Sequence, residues 1–460
     1  MNATAQKKRA PGPLGLPVLG NVRDFSTDVL QDFLNLHRRY GDVVRLTFAT
    51  RVSHFVFGPD AIKHILQDNN KNYIKGRSLY KARPLLGNGL LTSEGDFWRR
   101  QRRLMQPMFH RSQIETFIPE MTAATAQMLD RWQALTGREQ PFDAAREMMR
   151  LTLAIVTRTM FGANLLPEEA DTVAEVMPRL MHETNLRIIS LTSLREKLPL
   201  PSNRAFHHDI ERLNQILYRI IDERRRSGPS RDDLLGRLMS ATSEDSTAMS
   251  DRQLRDELMT IFLAGHETTA ALLSWTLYLL SKNPAERSRL QAEVDQVLAG
   301  RIPAAGDLER LAFTGWVLQE SLRLYPPAWS IARQAIGDDE LAGYHIPAGS
   351  GIIISPYVVH RRPDCWDNPE AFDPERFAPE REARQSHYAY LPFGGGPRLC
   401  IGSNFALQEA ALALAMMTQK FELDLDPDHP VVPMTDFTLR PAAGVWMRLR
   451  PRNLSPGFSV

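Results

Sequence analysis

The feature that most constrains the fold of this 460-residue chain is a long helical pattern that begins at Ser250 and ends before Pro284. Ser250 and Gln253 have the spacing of a capping box, which starts a helix, and proline cannot continue one. A helix of about 30 residues spans roughly 45 Å, which is enough to cross a domain of this size. The sequence therefore predicts a large helical body with this helix in its core.

The rest of the chain is predicted to be mainly helical, with small β-sheets near its beginning and its end. Helical spacing runs from residue 98 to about 280 and returns at 308–324 and 403–421, and strand-like runs lie at 43–48, 52–57, 341–357 and 437–449. The Pro/Gly-rich entry segment, residues 1–20, cannot be helical. Because there is no repeat and no long linker, we expect residues 1–460 to form a single domain.

Composition excludes several classes of protein. A chain with 43% hydrophobic and 24% charged residues has an ordinary globular balance, and a net charge of +2 provides no overall field for nucleic acid. Two cysteines cannot build a disulfide framework. The first ten residues are polar and the longest apolar run contains His266 and Glu267, so we expect a soluble, cytoplasmic protein. A chain from which an anchor had been removed would look the same.

The segment from Phe393 to Gly402 places Cys400 between a glycine-rich loop and an apolar helix. Glycines let a backbone approach a flat ligand, and the N-terminus of the following helix stabilises a thiolate, which is a good metal ligand. Zinc would need further ligands, a phosphate loop would need lysine after the glycines, and Leu399 breaks the dinucleotide pattern. The alternative is a small buried hydrophobic residue, which is our interpretation of Cys365.

A second cluster of unusual residues, Ala264-Gly265-His266-Glu267-Thr268-Thr269, lies midway along the long helix. Polar residues and glycine are costly inside a buried helix, so their concentration indicates a function. His266 and Glu267 begin a zinc motif, but Ala270 stands where its second histidine would be. The alternative is a local kink in which Thr268 bonds back to the carbonyl of Ala264.

A third pattern is the pair Glu320 and Arg323, whose charges share one helix face. Most such pairs lie on the surface and contribute little. Here a tyrosine and two prolines follow the pair, and Pro374-Glu375-Arg376-Phe377 comes later. Arg376 can therefore complete a network of three charges.

The motifs F-x-x-G-x-R-x-C-x-G, E-x-x-R, P-E-R-F and A-G-x-E-T-T together resemble those of the cytochrome P450 haem-thiolate monooxygenases over essentially the whole chain. Within the family the sequence is similar to the haem domains of bacterial self-sufficient fatty-acid hydroxylases, which share its AGHETT and FALxEA-type stretches. The resemblance implies a P450 fold with haem b between the long central helix and the cysteine-loop helix. It also implies an oxygen-dependent monooxygenase that hydroxylates or epoxidises a fatty acid, terpenoid or steroid.

The resemblance also assigns residues to the haem. Cys400 would be the axial thiolate ligand of the iron, with Phe393 packed near the sulfur. Gly396 and Gly402 would permit close passage of the backbone. The residues that would meet the haem propionates are Trp98, Arg102, Arg398 and Arg333.

Two further groups of residues have implied roles in catalysis and in stability. Thr268, assisted by Glu267, would hold dioxygen and relay protons to it. Glu320, Arg323 and Arg376 would be structural. One alternative is a peroxide-using or isomerase-type haem enzyme, and the Glu267-Thr268 pair argues against it. A non-enzymatic haem sensor is the alternative outside enzymes.

The substrate contacts implied by the resemblance are apolar, namely Leu91, Ala264, Ala328 and Leu439, so we expect a lipophilic substrate held by burial. Leu91 replaces a phenylalanine that is common there, which favours bulkier molecules such as terpenoids or steroids. Arg51 lies near the place where fatty-acid relatives carry a carboxylate anchor. An exposed turn arginine is the equal alternative for Arg51.

No reductase follows Val460, so the resemblance implies a separate ferredoxin- or flavodoxin-type electron donor with its NAD(P)H reductase. The dense basic cluster Arg99, Arg100, Arg102 and Arg103 is a weak indication of nucleic-acid binding without aromatic stacking residues or a binding motif. We expect instead that Arg99, Arg100 or Arg103 attracts the acidic donor.

Overall fold

Helices form most of this computed structural model, which describes residues 8–21, 25, 28–137, 140–190, 194–228, 233–240, 249–383 and 386–452. The α-helices are α1 Val29–Tyr40, α2 Pro59–Lys63, α3 Arg83–Leu86, α4 Gly95–Met105, α5 Arg111–Glu115, α6 Ile118–Gln133, α7 Ala144–Met160, α8 Pro167–Ile189, α9 Leu194–Lys197, α10 Pro201–Ser227, α11 Leu234–Ser240, α12 Asp251–Lys282, α13 Pro284–Leu298, α14 Ala312–Leu324, α15 Pro356–Val359, α16 Pro379–Glu382 and α17 Ser403–Lys420. The strands are β1 Val43–Phe48, β2 Arg51–Val56, β3 Tyr73–Lys75, β4 Phe142–Asp143, β5 Ile331–Ala335, β6 Asp339–Leu341, β7 Tyr344–Ile346, β8 Gly351–Ile354, β9 Phe421–Leu425, β10 Pro433–Thr435, β11 Leu439–Pro441 and β12 Trp446–Pro451. The predicted fold class, mainly α with small β-sheets, is confirmed.

The long helix predicted from the sequence is α12, a continuous helix of 32 residues. The Ser250 side chain caps it by accepting a hydrogen bond from the backbone N–H of Gln253 at 3.3 Å. Most of its side chains are buried, and it packs most extensively against α7. A Cβ built on Gly265 would lie 3.0 Å from Cγ2 of Val156 in α7, so glycine lets the two helices approach closely.

A five-stranded sheet has the strand order β1-β2-β8-β5-β3. Strands β2 and β8 are parallel, and the other pairs are antiparallel. In the last pair, Lys75 of β3 lies opposite Arg333 of β5. The sheet therefore joins residues that are far apart in the sequence.

Some predicted elements differ in their boundaries because of residues with positive φ. Arg51 is the first residue of β2 and pairs with Phe48, so the hairpin turn contains only Ala49 and Thr50. Ala49 has a φ of 52°, which suits a two-residue turn. The predicted strand 341–357 is divided into the end of β6, β7 and β8 by turns at Gly343 and Gly349, which have φ angles of 79° and 79°.

The helix predicted at 308–324 begins at Ala312. The carboxylate of Glu293 in α13 accepts hydrogen bonds from the N–H groups of Phe313 and Thr314 at 2.6 and 2.8 Å. A side chain that is distant in the sequence therefore fixes this start. Among the described residues, no helix combines the length and the apolar character that crossing a membrane requires.

Candidate active site

Cys400 lies three residues before α17, at the end of the glycine-rich loop. Its N–H donates to the carbonyl of Phe393 at 3.0 Å, which closes the loop. Gly396 has a φ of 64°, and a Cβ there would lie 1.8 Å from the carbonyl oxygen of Leu66. Glycine is therefore required at position 396. At Gly402 a Cβ would meet only Cε1 of Phe109, at an ordinary 3.7 Å, so the described protein atoms impose no such requirement.

The Cys400 thiol is free and has accessible surface. Burial is nevertheless the largest influence on its pKa, and raises it, while the Gly402 N–H and the charge of Arg102 lower it. Such a thiol ionises readily only beside a strong positive charge, such as a metal ion.

Three basic side chains, Lys75, Arg333 and Arg398, form a partly buried group that we call the cation cluster. The three cations repel one another: burial, together with the charges of Arg398 and Arg333, lowers the pKa of Lys75 to about 7. Burial and the charge of Arg398 lower the pKa of Arg333 to about 10. In the described part of the chain, Glu94 is the carboxylate that forms a salt bridge with the cluster, to Arg398 at 2.5 Å. The cluster therefore has excess positive charge.

Trp98 of α4 lies beside this cluster, with its ring centre 4.9 Å from the Arg398 guanidinium and 5.8 Å from Nζ of Lys75. Arg102, one turn later in α4, donates to the carbonyl of Leu399 at 2.7 Å and therefore lies beside Cys400. The structure thus brings Trp98, Arg333 and Arg398 together and places Arg102 on the cysteine side.

Sequence reasoning missed Lys75 and Glu94. No motif marks either residue, because their partners Arg333 and Arg398 are reached only through the sheet pairing and the loop contact. The available sequence signal was weak: a lysine ends the short strand-like run Tyr73–Lys75, and Glu94 stands just before the helix that carries Trp98.

Residues 254–277 of α12 are buried except for three, which we call the accessible part of α12. Ala264 is exposed and Gly265 and Thr268 are partly exposed, while the neighbouring residues are buried. The hydroxyl of Thr268 donates to the Ala264 carbonyl at 2.6 Å, as the kink interpretation predicts, although the helix continues through this point.

The Glu267 side chain contacts a residue of a distant segment. Its Oε1 accepts from the hydroxyl of Thr438 at 2.8 Å, and its Oε2 has no hydrogen-bond partner among the described residues. Burial raises its pKa to about 7. The structure therefore shows no direct hydrogen bond between Glu267 and Thr268. His266 is also buried, its pKa is lowered to about 4, and it is uncharged near neutral pH.

The predicted substrate contacts differ in their exposure. Ala264 and Ala328 are exposed, and Leu91 is half-buried. Leu439 is fully buried, and its backbone is bonded to Pro327 and to the indole of Trp275 at 2.9 and 3.0 Å. Its strand, β11, packs on α12, and its role as a substrate contact stays a prediction.

Arg51 is exposed at the start of β2. Its charge lowers the pKa of Lys81, which places the two side chains near each other. No described contact joins Arg51 to the cysteine loop or to the middle of α12, and Arg51 lies in β2 rather than in the turn, so its role as a carboxylate anchor stays a prediction.

The three charges predicted to be structural form a buried network. Glu320 accepts from both Nε and Nη2 of Arg323 at 2.6 and 2.7 Å, and from Arg376 at 3.2 Å. Arg323 also donates to three backbone carbonyls, those of His360, Pro369 and Ala371, at 2.9, 2.7 and 2.9 Å. The network therefore ties α14 to the segment that leads to the cysteine loop.

The donor set fits a haem group. A free thiol lies just before α17, a cluster with excess positive charge could hold two carboxylates, and the apolar ring of Trp98 lies beside that cluster. Together with the helical fold, this set defines a haem-thiolate protein.

Comparison with known proteins identifies the family. The family model described as Cytochrome P450 matches residues 10–447, and the chain belongs to the cytochrome P450 family. It is 37% identical to the cyclooctatin synthase of Streptomyces melanosporofaciens over 439 residues, which cover 95% of each chain. It is 34% identical to the pentalenene oxygenase of Streptomyces avermitilis over 449 residues, or 97% of this chain and 98% of the other.

A solved structure, the cytochrome P450DA heme domain, has the same fold. Its TM-score is 0.87 at 29% sequence identity, and the match covers 97% of this chain and 98% of that one. The protein is a cytochrome P450 monooxygenase with a haem cofactor, as its sequence predicted.

Proposed function

We propose that this enzyme hydroxylates or epoxidises a terpenoid, using haem b and electrons from a separate ferredoxin- or flavodoxin-type donor. The accessible part of α12 carries the proposal: it consists of Ala264, Gly265 and the single hydroxyl of Thr268, and it contains no charged side chain. A substrate bound there gains free energy mainly from burial of apolar surface. Pentalenene oxygenase and cyclooctat-9-en-7-ol 5-monooxygenase are among the relatives, and their names point to compounds of this kind.

We propose Cys400 Sγ as the iron ligand, and Lys75, Arg333, Arg398, Arg102 and Trp98 as partners of the haem carboxylates. Haem held by a cysteine thiolate activates dioxygen and favours cleavage of the O–O bond. Ion pairs between the haem carboxylates and the cation cluster would reduce the repulsion among the three cations and would fix the orientation of the haem ring.

Thr268 is the proposed proton donor. Its Oγ1–H, which donates to the Ala264 carbonyl at rest, can turn toward the accessible side of α12 and deliver its proton there. Glu267, with its pKa raised to about 7, holds a proton next to Thr438 near neutral pH. We therefore propose that Glu267 assists Thr268 indirectly, through groups that lie between the two side chains, and not through a direct hydrogen bond.

The test is a turnover assay with the haem-loaded protein, a bacterial ferredoxin with its reductase, NAD(P)H and isotopically labelled dioxygen. We expect one labelled oxygen atom in the product from members of a terpene panel, with dioxygen consumption that depends on the terpene. Fatty acids and steroids serve as comparison panels. Turnover with peroxide alone, or unlabelled product, would favour a peroxide-using or isomerase-type enzyme. Haem binding without turnover would favour a sensor.

A further inference from the structure

The loop of residues 87–94 passes between α12 and β3, and it carries Leu91, a proposed substrate contact. Its residue Leu90 is held on both sides by buried charged side chains. Oε2 of Glu257 accepts a hydrogen bond from the Leu90 N–H at 2.8 Å. Nζ of Lys75 donates to the Leu90 carbonyl at 2.8 Å. The two peptide groups that flank Leu90 are therefore fixed by charges from two different elements.

Glycines allow this loop to lie against α12. A Cβ on Gly87, whose φ is 60°, would lie 1.9 Å from Oδ1 of Asp256, and a Cβ on Gly89 would lie 2.2 Å from Oγ1 of Thr260. Asp256 also accepts the N–H of Asn88, at 2.8 Å. The backbone of the loop thus follows the surface of the helix closely over three successive residues.

The contact uses groups that are costly to bury. Glu257 is 0% exposed and Lys75 is 6% exposed. Burial raises the pKa of Glu257 to about 7 and lowers that of Lys75 to about 7. Because both side chains are shielded from water, loss of either hydrogen bond would leave a buried polar group without a partner, so the two bonds hold the loop firmly.

Glu257 and the proposed active-site residues share one helix. Ala264 and Thr268 follow Glu257 by 7 and 11 residues, or about 10 and 16 Å along the helix axis. A loop anchored to Glu257 therefore has a fixed distance to both. Lys75 connects the same loop to the cation cluster, because it donates to the Leu90 carbonyl and is itself a member of the cluster.

We propose that Glu257 is a positioning residue that fixes Leu91 relative to Ala264 and Thr268 and thereby selects which carbon atom of the substrate is oxidised. This inference rests on the proposed function, because Leu91 is a proposed contact of the proposed terpenoid substrate. It adds a specificity determinant that does not itself touch substrate or haem.

The experiment compares Glu257→Ala with Glu257→Gln in the haem-loaded protein, because glutamine keeps an oxygen that can accept the Leu90 N–H. Hydrogen exchange of peptides that span residues 87–94 is the first readout. We expect Glu257→Ala to lose about tenfold in protection there, the effect of one hydrogen bond to a charged group. The second readout is the ratio of product regioisomers, which we expect to change in Glu257→Ala and to return toward the original ratio in Glu257→Gln.

A matched control is Glu293→Ala. Glu293 also accepts backbone N–H groups from another element, those of Phe313 and Thr314, but it does so at the start of α14. We expect this variant to leave the 87–94 exchange and the product ratio unchanged. If Glu257→Ala does not fold, Glu257→Asp replaces it, because its shorter side chain withdraws the acceptor while keeping the charge.

Unchanged exchange and unchanged product ratio in Glu257→Ala would overturn the proposal, as would an equal change of product ratio in Glu293→Ala. Failure of this positioning role can be distinguished from failure of the proposed function. If the unmodified protein oxidises no terpene, hydrogen exchange still reports on the loop, and titration with phenylimidazole reports on the pocket without turnover. An unaltered affinity for phenylimidazole combined with unaltered exchange would then contradict the positioning role.

Discussion

At the scale of single residues, the surroundings of Cys400 favour the thiol over the thiolate. Burial outweighs the Gly402 N–H and the charge of Arg102, so the pKa is raised. A thiolate at this position therefore needs a strong positive charge beside it, such as a metal ion.

We expect Cys400→Ser to lose the thiolate-type carbonyl spectrum of the reduced haem protein, because a hydroxyl cannot replace the thiolate as a ligand of the same strength. Difference spectroscopy under carbon monoxide measures this. Cys365→Ser is the matched control and is expected to keep the spectrum. Retention of the thiolate-type spectrum in Cys400→Ser would refute the ligand assignment.

Thr268 is the second prediction at this scale. Thr268→Ala removes the one hydroxyl on the accessible part of α12, so we expect it to bind haem and substrate but to form product about tenfold to a hundredfold more slowly and to release peroxide. Oxygen, peroxide and product are quantified together. Thr276→Ala is the control, because that hydroxyl makes the same bond to a carbonyl one turn earlier, at 2.8 Å, but is buried. Tightly coupled turnover in Thr268→Ala would remove the proton-relay role.

The residues that the sequence could predict were those that belong to compact motifs. The buried pair of Glu320 and Arg323 was predicted this way, and the motifs also point to Cys400 and Thr268, whose roles stay predictions. Lys75 and Glu94 were missed because the sheet and the loop bring them to Arg333 and Arg398, and no local spacing encodes that contact. The direction of the Glu267 side chain was also unpredictable, since it depends on Thr438 in a distant segment.

At the scale of elements, the buried network around Glu320 joins α14 to the segment before the cysteine loop. Glu320 and Arg323 are 0% exposed, and no water can replace a lost partner there. We expect Glu320→Ala to lower the free energy of unfolding by about 3–5 kcal/mol, because it leaves buried guanidinium groups without a counter-charge. Denaturant titration measures this change.

Glu309→Ala is the control for this prediction. Glu309 pairs with Arg111 on the surface, where its side chain is 69% exposed. Removing an exposed pair costs about 1 kcal/mol or less. Similar losses in the two variants would contradict the structural role of the buried network.

Helices were easier to predict than strands for a physical reason. The helical spacing of apolar residues in α12 and α17 involves only residues close together in the chain, so the sequence predicted both helices with nearly correct ends. The short strands β6, β7 and β8 are separated by turns at Gly343 and Gly349, and their pairing depends on partners elsewhere. The start of α14 similarly depends on Glu293 of α13.

At the scale of the whole molecule, the net charge of +2 hides an uneven distribution. Arg99, Arg100 and Arg103 are exposed on α4, and Arg102 of the same helix reaches the carbonyl of Leu399, which is itself 42% exposed and precedes Cys400. A basic surface therefore adjoins the cysteine loop.

We expect Arg100→Glu to slow reduction by an acidic donor about tenfold at low ionic strength and to weaken the dependence of that rate on salt. Stopped-flow reduction at several salt concentrations tests this. Arg39→Glu, a charge reversal at an exposed position of α1, is the control and is expected to leave the rate unchanged. Equal kinetics in Arg100→Glu and the unmodified protein would exclude this surface as the docking site.

The pairing of β3 with β5 has a consequence for synthesis of the chain. Lys75 is synthesised well before its strand partner Arg333, and Glu94 well before its ion-pair partner Arg398. The groups that would hold the haem carboxylates therefore come together only after most of the polypeptide has left the ribosome. Contacts between such distant residues also form slowly, because a large loop must close first. Capture of a haem by these groups would thus be a late event in biogenesis, and nascent chains that stop before Arg398 would lack part of the proposed site.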